Sequence, residues 1–369
     1  MKTIASVIKF LESLYPKHLA YDKDPIGLQL GNVNQIVTNV LVTLDVTEAI
    51  VQEAIEKKAN FIVSHHPFIF RPLASINTQT PKGRIIELAI KHDICIYSMH
   101  TNYDIAPNGM NDELARYLGL TNTRPLVETS AEAFVKIIIY TPLEAVEAVK
   151  TALGEANAGQ LGDYVYCSFS TQGLGTFKPL QGAHPAIGEV GTLEHVEEVK
   201  VEAIAKSSDV TSIIKAVQAV HPYEVMAYDV FKQEIKFNET TYGIGRIGEL
   251  ETPLMMEDYI AQIKQSFNIE HARFIGTLNK RVKRVAVIGG SGSGYAMAAK
   301  QQKADLYVTG DIGFHDGCDA LDLGINILDV GHHVESIMKP HVAALLQDYL
   351  TEEHKAYASV ISTEPFQFV

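Results

Sequence analysis

Apolar and polar residues alternate along the chain as they do when helices pack on a parallel sheet. Residues 3–15 carry apolar side chains at helical spacing, which predicts an amphipathic helix at the start. Short, nearly continuous apolar runs come next, and these are typical of strands buried on both faces. The pattern predicts strands at 40–44, 61–63 and 94–97, with helices at 47–57, 83–92 and 109–118.

The same alternation returns after residue 240. It predicts strands at 285–288, 306–308 and 325–328, with helices at 294–303 and 334–349. Residues 59–66 and 304–311 are both short apolar strands that end in a hydroxyl residue and a polar pair. When 94–97 is paired with 325–328 and continued without gaps, Asp104 falls opposite Glu335. This internal repeat predicts two related βαβ halves.

The segment between the halves has a different character, rich in β-formers, Gly, Ser and Thr. It predicts strands at 134–140, 164–170, 186–193, 199–204 and 224–231, with helices at 143–153 and 209–219. Apart from one additional strand, the order is the β-α-β-β-α-β of a ferredoxin-like domain. The predicted fold is therefore α/β, with an inserted α+β domain. The predicted division is 1–129 for the first half, 130–235 for the insert and 236–369 for the second half.

Composition narrows the class of protein. The chain has 369 residues, 46% of them hydrophobic and 20% charged, as in ordinary globular proteins. A net charge of −13 disfavours non-specific binding to nucleic acid or to an anionic membrane. Cys95, Cys167 and Cys318 are far apart, which predicts reduced and mostly buried thiols. No apolar stretch is long enough to span a bilayer, so we expect a cytoplasmic protein.

Several metal-ligating side chains lie just after the ends of predicted strands. Ligands of open α/β sheets bind just beyond those carboxyl ends, and two related halves would bring the ends towards a shared crevice. The candidate residues are His65, His66, Asp104, Asp311, His332 and Glu335.

The spacing of these residues favours two metal ions. His65 and His66 are adjacent in an extended segment before Pro67, so their side chains diverge. His332 and Glu335, three residues apart at the start of the last helix, share a face, whereas His333 points away. Asp104 can bridge two cations.

Three imidazoles with two carboxylates suit zinc, with manganese or iron as alternatives, and argue against a closed structural zinc site. The predicted ligands are His65, His66, Asp104, His332 and Glu335. Five ligands for two divalent ions leave positions open for water, as hydrolytic chemistry requires. Three further residues are acid–base or supporting candidates: His100, Asp311 and His315.

Two other motifs carry weaker signals. Residues 289–294 (GGSGSG) come after a strand and before a helix, but they lack the G-x-G-x-x-G spacing and the lysine of a P-loop. A tight turn is therefore favoured over a phosphate-binding loop. Residues 221–224 (HPYE) fit an ordered loop better than a second site.

The motifs together resemble those of GTP cyclohydrolase 1 type 2 homologues, also called NIF3-like proteins. The matching segments are residues 64–67 (SHHP), 100–104 (HTNYD), 309–311 (TGD) and 329–335 (DVGHxxE). The resemblance covers the whole chain and includes an insert similar to PII/CutA-like modules, with its HPYE segment. Two departures lie at the rim of the site. Residues 22–26 replace the family's Trp-Asp-Asn, and residues 105–109 replace a more glycine-rich stretch.

The resemblance implies a di-metal centre on the five residues named above, inside a homohexamer. It also implies a hydrolase acting on a small nucleotide-like substrate, with GTP ring opening as the family name suggests. Two alternatives remain. One is a non-catalytic metal-binding or regulatory protein, and the other is a metallo-phosphoesterase with a different substrate.

Overall fold

The computed structural model describes residues 2–131, 133–233 and 241–367. Helices α1–α11 are Ile4–Leu14, Glu48–Glu56, Pro81–Lys91, Thr101–Ile105, Met110–Tyr117, Val146–Glu155, Val210–Gln218, Met256–Phe267, Ala296–Gln301, Phe314–Leu323 and Met338–Tyr349. Strands β1–β15 are Gly27–Leu30, Val40–Thr43, Phe61–Ser64, Cys95–Ser98, Thr121–Ala131, Phe134–Pro142, Phe169–Phe177, Glu194–Lys206, Tyr228–Gln233, Thr241–Met255, Arg273–Ile275, Arg281–Ser291, Leu306–Gly310, Ile327–Asp329 and Ala356–Ala358. Short 3₁₀ helices are Lys17–Leu19, Leu143–Ala145, Ser207–Asp209, Ser293–Tyr295 and His332–Ile337.

The chain divides into two compact units. One unit comprises Met1–Ser130 and Tyr242–Val369, and the other comprises Ala131–Thr241. The predicted boundary at 129/130 lies beside Ser130. The predicted boundary at 235/236 falls within 234–240, outside the described residues.

The first unit contains two sheets built on the same plan. The five-stranded sheet has the order β1-β4-β3-β2-β15, and the six-stranded sheet has the order β11-β14-β13-β12-β10-β5. Strands β2, β3 and β4 are parallel, as are β12, β13 and β14. An antiparallel strand flanks each trio, β1 beside β4 and β11 beside β14. The two related βαβ halves predicted from the internal repeat are thereby confirmed.

Each half contributes a helix that packs on the sheet of the other half. Helix α5, from the first half, packs on β12, while α11, from the second half, packs on β2 and β15. The largest core lies here and includes one face of the five-stranded sheet. The other face of this sheet, with Leu41, Ile62 and Ile96, packs in a separate core that includes residues of α2 and α3. The strands buried on both faces explain why their sequences are almost continuously apolar.

Three early helices begin where their sequences supply a capping threonine. The hydroxyls of Thr3, Thr47 and Thr80 accept hydrogen bonds from backbone N–H groups in the first turns of α1, α2 and α3. Such caps satisfy N–H groups that have no partner within the helix. Pro81 occupies the first position of α3, where its missing N–H costs nothing.

The second unit is a four-stranded antiparallel sheet with two helices. Its order is β7-β8-β6-β9, and the chain runs β6-α6-β7-β8-α7-β9, which is the ferredoxin-like arrangement. Every second residue of β8, from Val199 to Ala205, is buried in the core shared with α6 and α7. His221 is buried, and its Nε2 lies 3.0 Å from the Tyr140 carbonyl oxygen, as expected of an ordered loop.

Three predicted strands of this segment were misplaced. The region 186–193 is not a strand, because Gly188 and Gly191 have φ of 84° and 90°, which a strand cannot accommodate. The strand predicted at 164–170 begins only at Phe169, after a turn in which Tyr166 has φ of 60°. The strand predicted at 224–231 begins at Tyr228.

The cysteine prediction was partly wrong. All three thiols are free, but only Cys95 is buried, whereas Cys167 is half-buried and Cys318 is exposed. Among the described residues, no helix is both long and apolar enough to cross a bilayer.

Candidate metal centre

The parallel strands of the first half end level with one another and deliver two histidines to one edge. Thr43, Ser64 and Ser98 are in register at the ends of β2, β3 and β4. His65 and His66 come directly after β3, and their backbone N–H groups donate to the carbonyls of Thr43 and Leu44. These bonds extend the ladder by two residues and fix where both imidazoles begin.

One group of ligand atoms is deeply buried. His65 Nε2 lies 3.6 Å from Asp104 Oδ1 and 3.7 Å from Glu335 Oε2. Asp104 is carried by the short helix α4, and Glu335 by the 3₁₀ helix that comes after β14. His65 and Glu335 are 1% and 3% exposed. The group therefore joins residues of both halves, as the repeat predicted.

A second group shares Glu335 and lies nearer the surface. Glu335 Oε2 is 3.3 Å from His66 Nε2 and 3.2 Å from His332 Nε2. The two imidazole nitrogens are themselves 3.2 Å apart. His332 and Glu335 stand on one side because residues three apart are eclipsed in a 3₁₀ helix. The α-helix that was predicted to carry them begins only at Met338.

The other ring nitrogen of each histidine has a hydrogen-bond acceptor. Nδ1 of His65 lies 2.9 Å from the Met99 carbonyl oxygen. Nδ1 of His66 is 2.7 Å from Asp45 Oδ1, and Nδ1 of His332 is 2.7 Å from Asp311 Oδ2. These partners hold the rings so that all three Nε2 atoms face the cluster. This is the usual arrangement around histidines that ligate a metal.

Burial and hydrogen bonds shift the pKa values of the clustered histidines in opposite directions. Burial lowers the pKa of His65 to about 3, so its imidazole is neutral at pH 7. Burial also acts against charge on His66, but hydrogen bonds with Asp45 and Glu335 outweigh it and raise the pKa to about 10. A hydrogen bond with Glu335 is the main cause that raises the pKa of His332 to about 9.

The two buried carboxyl groups respond in opposite directions. Burial and the nearby Glu335 charge raise the pKa of Asp104 above its usual range. Burial acts the same way on Glu335, but the three surrounding histidines outweigh it and lower its pKa. Asp104 Oδ1 is buried and has no hydrogen-bond partner among the described residues. An orphaned buried carboxylate oxygen is costly, and a cation would satisfy it.

His100 also joins the cluster. Its ring centroid lies 5.2 Å from that of His65, and the two histidines group with His66 as a third set able to hold an ion. His100 Nδ1 is 2.9 Å from Asp24 Oδ1. Thr101 donates to the same carboxylate through its backbone N–H and its hydroxyl. This places Asp24, in the loop that departs from the family pattern, at the edge of the cluster.

Of the other candidates, Asp311 contacts the cluster and His315 does not. Asp311 contacts His332 from a left-handed backbone conformation, with φ of 56°. His315 is exposed, its ring contacts neighbouring Phe314, and the structure describes no bond between it and the cluster. Asp45 was not among the predicted site residues, although its position directly after the predicted strand 40–44 was a readable signal.

The glycine-rich stretch forms a wall of the cluster. A Cβ atom on Gly289 or on Gly290 would lie 2.8 Å from Glu335 Oε1. Gly290 also has φ of 60°, and its added Cβ would lie 3.1 Å from His332 Nε2. Glycine is therefore required here for close approach of the backbone, and the first two glycines lie within β12 rather than in a turn.

These features define a class: an α/β protein of two related halves, with a buried His/Glu cluster that could bind metal ions where they meet. The sequence profile of the Duf34/NIF3 family (NGG1p interacting factor 3) matches residues 2–365. A Bacillus subtilis protein named GTP cyclohydrolase 1 type 2 homolog is 43% identical over 366 residues, covering 98% of both chains. The chain belongs to the Duf34/NIF3 family.

Solved structures agree with this assignment. A Bacillus cereus protein related to NIF3 is 45% identical with a TM-score of 0.89, covering 100% of this chain and 99% of that one. A Staphylococcus aureus protein is 35% identical with a TM-score of 0.78 and the same coverage. The family resemblance drawn from the sequence motifs is confirmed.

Proposed function

We propose that the cluster binds two divalent metal ions and that the protein is a metal-dependent hydrolase. The observation that carries the proposal is the pair of ligand groups that share Glu335. His65, Asp104 and Glu335 would hold one ion, and His66, His332 and Glu335 the other.

The spacing of the donor atoms fits this proposal. Two ligands about 2.1 Å from one tetrahedral zinc ion are about 3.4 Å apart. The measured separations run from 3.2 Å between His332 Nε2 and Glu335 Oε2 to 3.7 Å between His65 Nε2 and Glu335 Oε2. The neutral His65 is a donor that needs no deprotonation, and a cation would satisfy Asp104 Oδ1, which has no hydrogen-bond partner among the described residues.

The chain's own residues suit hydrolysis. Paired cations lower the pKa of water and polarise a substrate. His332 is 38% exposed, so the side of the cluster that carries it is open to a substrate. His100, fixed through Nδ1 by Asp24, keeps its Nε2 available to accept or donate a proton. Burial of His65 and Glu335 limits access of water from the opposite side.

The substrate class is proposed from the relatives. Those at 43% identity carry the name GTP cyclohydrolase 1 type 2 homolog, so we propose a nucleotide-like substrate. Zinc as the ion, a homohexameric assembly and a cytoplasmic location remain predictions. The matching assay is elemental analysis after loading with zinc, manganese or iron, and then incubation with GTP and other nucleotides.

We expect two ions per chain and release of formate from GTP, or hydrolysis of another nucleotide in the panel. Glu335→Gln replaces the shared carboxylate with a neutral amide and should reduce both metal content and turnover by at least about 100-fold. His92→Ala, a change at an exposed histidine that comes before β4 and so lies at the other edge of the sheet, is the matched control. Turnover that survives in Glu335→Gln contradicts the proposal.

A non-catalytic metal-binding role is the rival outcome. Two ions per chain with no turnover of any nucleotide would favour it. The metallo-phosphoesterase alternative is separated by the product, because it releases phosphate without formate.

A further inference from the structure

Hydrogen bonds hold the C-terminal segment 359–363 at the edge of the five-stranded sheet. Strand β15 pairs in parallel with β2, and the Ser359 N–H continues this ladder to the Val42 carbonyl at 2.8 Å. Buried Glu53 accepts hydrogen bonds from the Ser359 hydroxyl at 2.5 Å and from the Val360 N–H at 3.1 Å. Lys339 Nζ donates to the Ile361 carbonyl at 3.3 Å.

These hydrogen bonds place Thr363 beside the cluster. The Thr363 hydroxyl donates to Asp45 Oδ2 at 2.6 Å. The other oxygen of the same carboxylate, Oδ1, is 2.7 Å from His66 Nδ1. Nε2 of His66 in turn faces Glu335 at 3.3 Å. Two direct contacts therefore connect Thr363 to the proposed ligand His66, and a third connects His66 to Glu335.

Both oxygens of Asp45 are engaged on opposite sides, and this fixes the plane of the carboxylate. With Thr363 bound, Oδ1 remains aimed at His66. Without the hydroxyl, the carboxylate can rotate about its terminal torsion, which is intrinsically broad. His66 would then lose the partner that holds its ring orientation, and ligand orientation by such outer partners governs metal affinity.

We propose that segment 359–363 is part of the metal site, with Thr363 as the positioning residue that sets Asp45 and through it His66. This inference rests on the proposed function, since it assigns the segment to the ion held by His66. A purely architectural role, closing the edge of the sheet, would involve β15 and Glu53 but not the Thr363 hydroxyl.

The test compares Thr363→Val, which removes only the hydroxyl donor at nearly constant volume, with Thr363→Ser, which retains it. Ser362→Ala, at an exposed position of the same segment, is the matched control. Zinc affinity is measured by competition with a chromophoric chelator in the full-length protein. Thermal unfolding of the metal-free protein reports on the fold.

We expect Thr363→Val to lower the affinity for one of the two zinc ions by about 10-fold. This is the low end of the effect seen when a hydrogen-bond partner of a metal ligand is removed. The other ion should be unaffected, and Thr363→Ser and Ser362→Ala should resemble the wild type. The midpoint of metal-free unfolding should move by less than about 2 °C. Equal zinc affinities for Thr363→Val and wild type overturn the inference, as does a parallel loss at both positions with a large fall in the midpoint.

A metal-free measurement separates this inference from the proposed function. A wild type that takes up no zinc refutes the metal proposal itself. The contact with Asp45 can then be monitored through the His66 Nδ1–H signal in the NMR spectrum. That proton should exchange with water faster in Thr363→Val than in Thr363→Ser, and unchanged exchange refutes the positioning role.

Discussion

A buried arginine of the second half binds residues of the first half, and its replacement gives a sharp test of how the halves are held together. Arg246, on β10, is 4% exposed. Its guanidinium donates to both oxygens of Asp112 on α5, at 2.5 and 2.9 Å. It also donates to the carbonyls of Gly243, Gly245 and Ala106, at 2.9, 2.8 and 3.1 Å.

Arg246→Met keeps much of the side-chain volume but removes every one of these donors. The Asp112 carboxylate and the three carbonyls lose this donor, although the Asn108 N–H still donates to Asp112 Oδ2 and the Gly109 N–H to the Ala106 carbonyl. Breaking a buried charge pair costs about 3–5 kcal/mol. Because the Asp112 side chain retains 20% exposure, water can compensate in part, and the loss should lie near about 3 kcal/mol.

Hydrogen exchange read by mass spectrometry is the suitable assay, because the protein has two units and need not unfold in one step. A loss of about 3 kcal/mol corresponds to roughly 100-fold faster exchange. We expect this acceleration in peptides from α4, α5 and β10, while peptides from 134–206 remain protected. Ala106 lies two residues after Asp104, so zinc affinity should fall as well.

Arg84→Met is the control, since Arg84 forms an exposed pair with Glu48 that is worth at most about 1 kcal/mol. Arg246→Lys, which keeps the charge but not the planar fork, should give an intermediate effect. If Arg246→Met exchanged no faster than Arg84→Met, the assignment of Arg246 as a stabilising contact between the halves would be refuted.

Three further predictions concern the cluster. Removal of divalent ions with a chelator should lower the unfolding midpoint of the wild type but not of Glu335→Gln, as measured by calorimetry; equal shifts would contradict this. Gly290→Ala should weaken zinc binding at least about 10-fold through its clash with Glu335 and His332, whereas Gly294→Ala, where a Cβ meets nothing within 4 Å, should not; chelator competition measures both. Hydrogen bonding raises the pKa of His66 to about 10 and of His332 to about 9. Zinc binding at pH 7 should therefore release protons, and zinc affinity should increase as the pH rises towards 9. Calorimetry in buffers of different ionisation enthalpy tests this, and binding heats that do not depend on the buffer would contradict it.

The local pattern of the chain was enough to predict the parallel strands and the polar side chains at their ends. Strands β3 and β13 are apolar for most of their length and carry hydroxyl residues near their ends, so the polar residues just beyond them stood out. The repeat then paired Asp104 with Glu335, and both lie in the cluster. These features were readable because they depend on residues close together in sequence.

The missed features depend on distant contacts or on backbone conformation. Nothing near Thr363 in the sequence points to Asp45, from which it is 318 residues away. Strand β10 contains Gly243, Gly245 and Gly248, and glycines weaken the sequence pattern of a strand. Gly243 is nevertheless needed there, because a Cβ atom at this position would lie 2.2 Å from the Val127 carbonyl oxygen on β5. The strand predicted at 186–193 failed for the opposite reason, because its glycines adopt positive φ.

The sharing of Glu335 between the two groups has a thermodynamic consequence. His65 and Asp104 come from one half of the unit, His332 and Glu335 from the other, and His66 belongs with the first. Neither half alone carries a full set of donors, so each cation of the proposed pair would bridge the junction between the halves. Free cation concentration would thus tune how firmly the halves hold together, by RT ln(1 + [L]/Kd) for each ion.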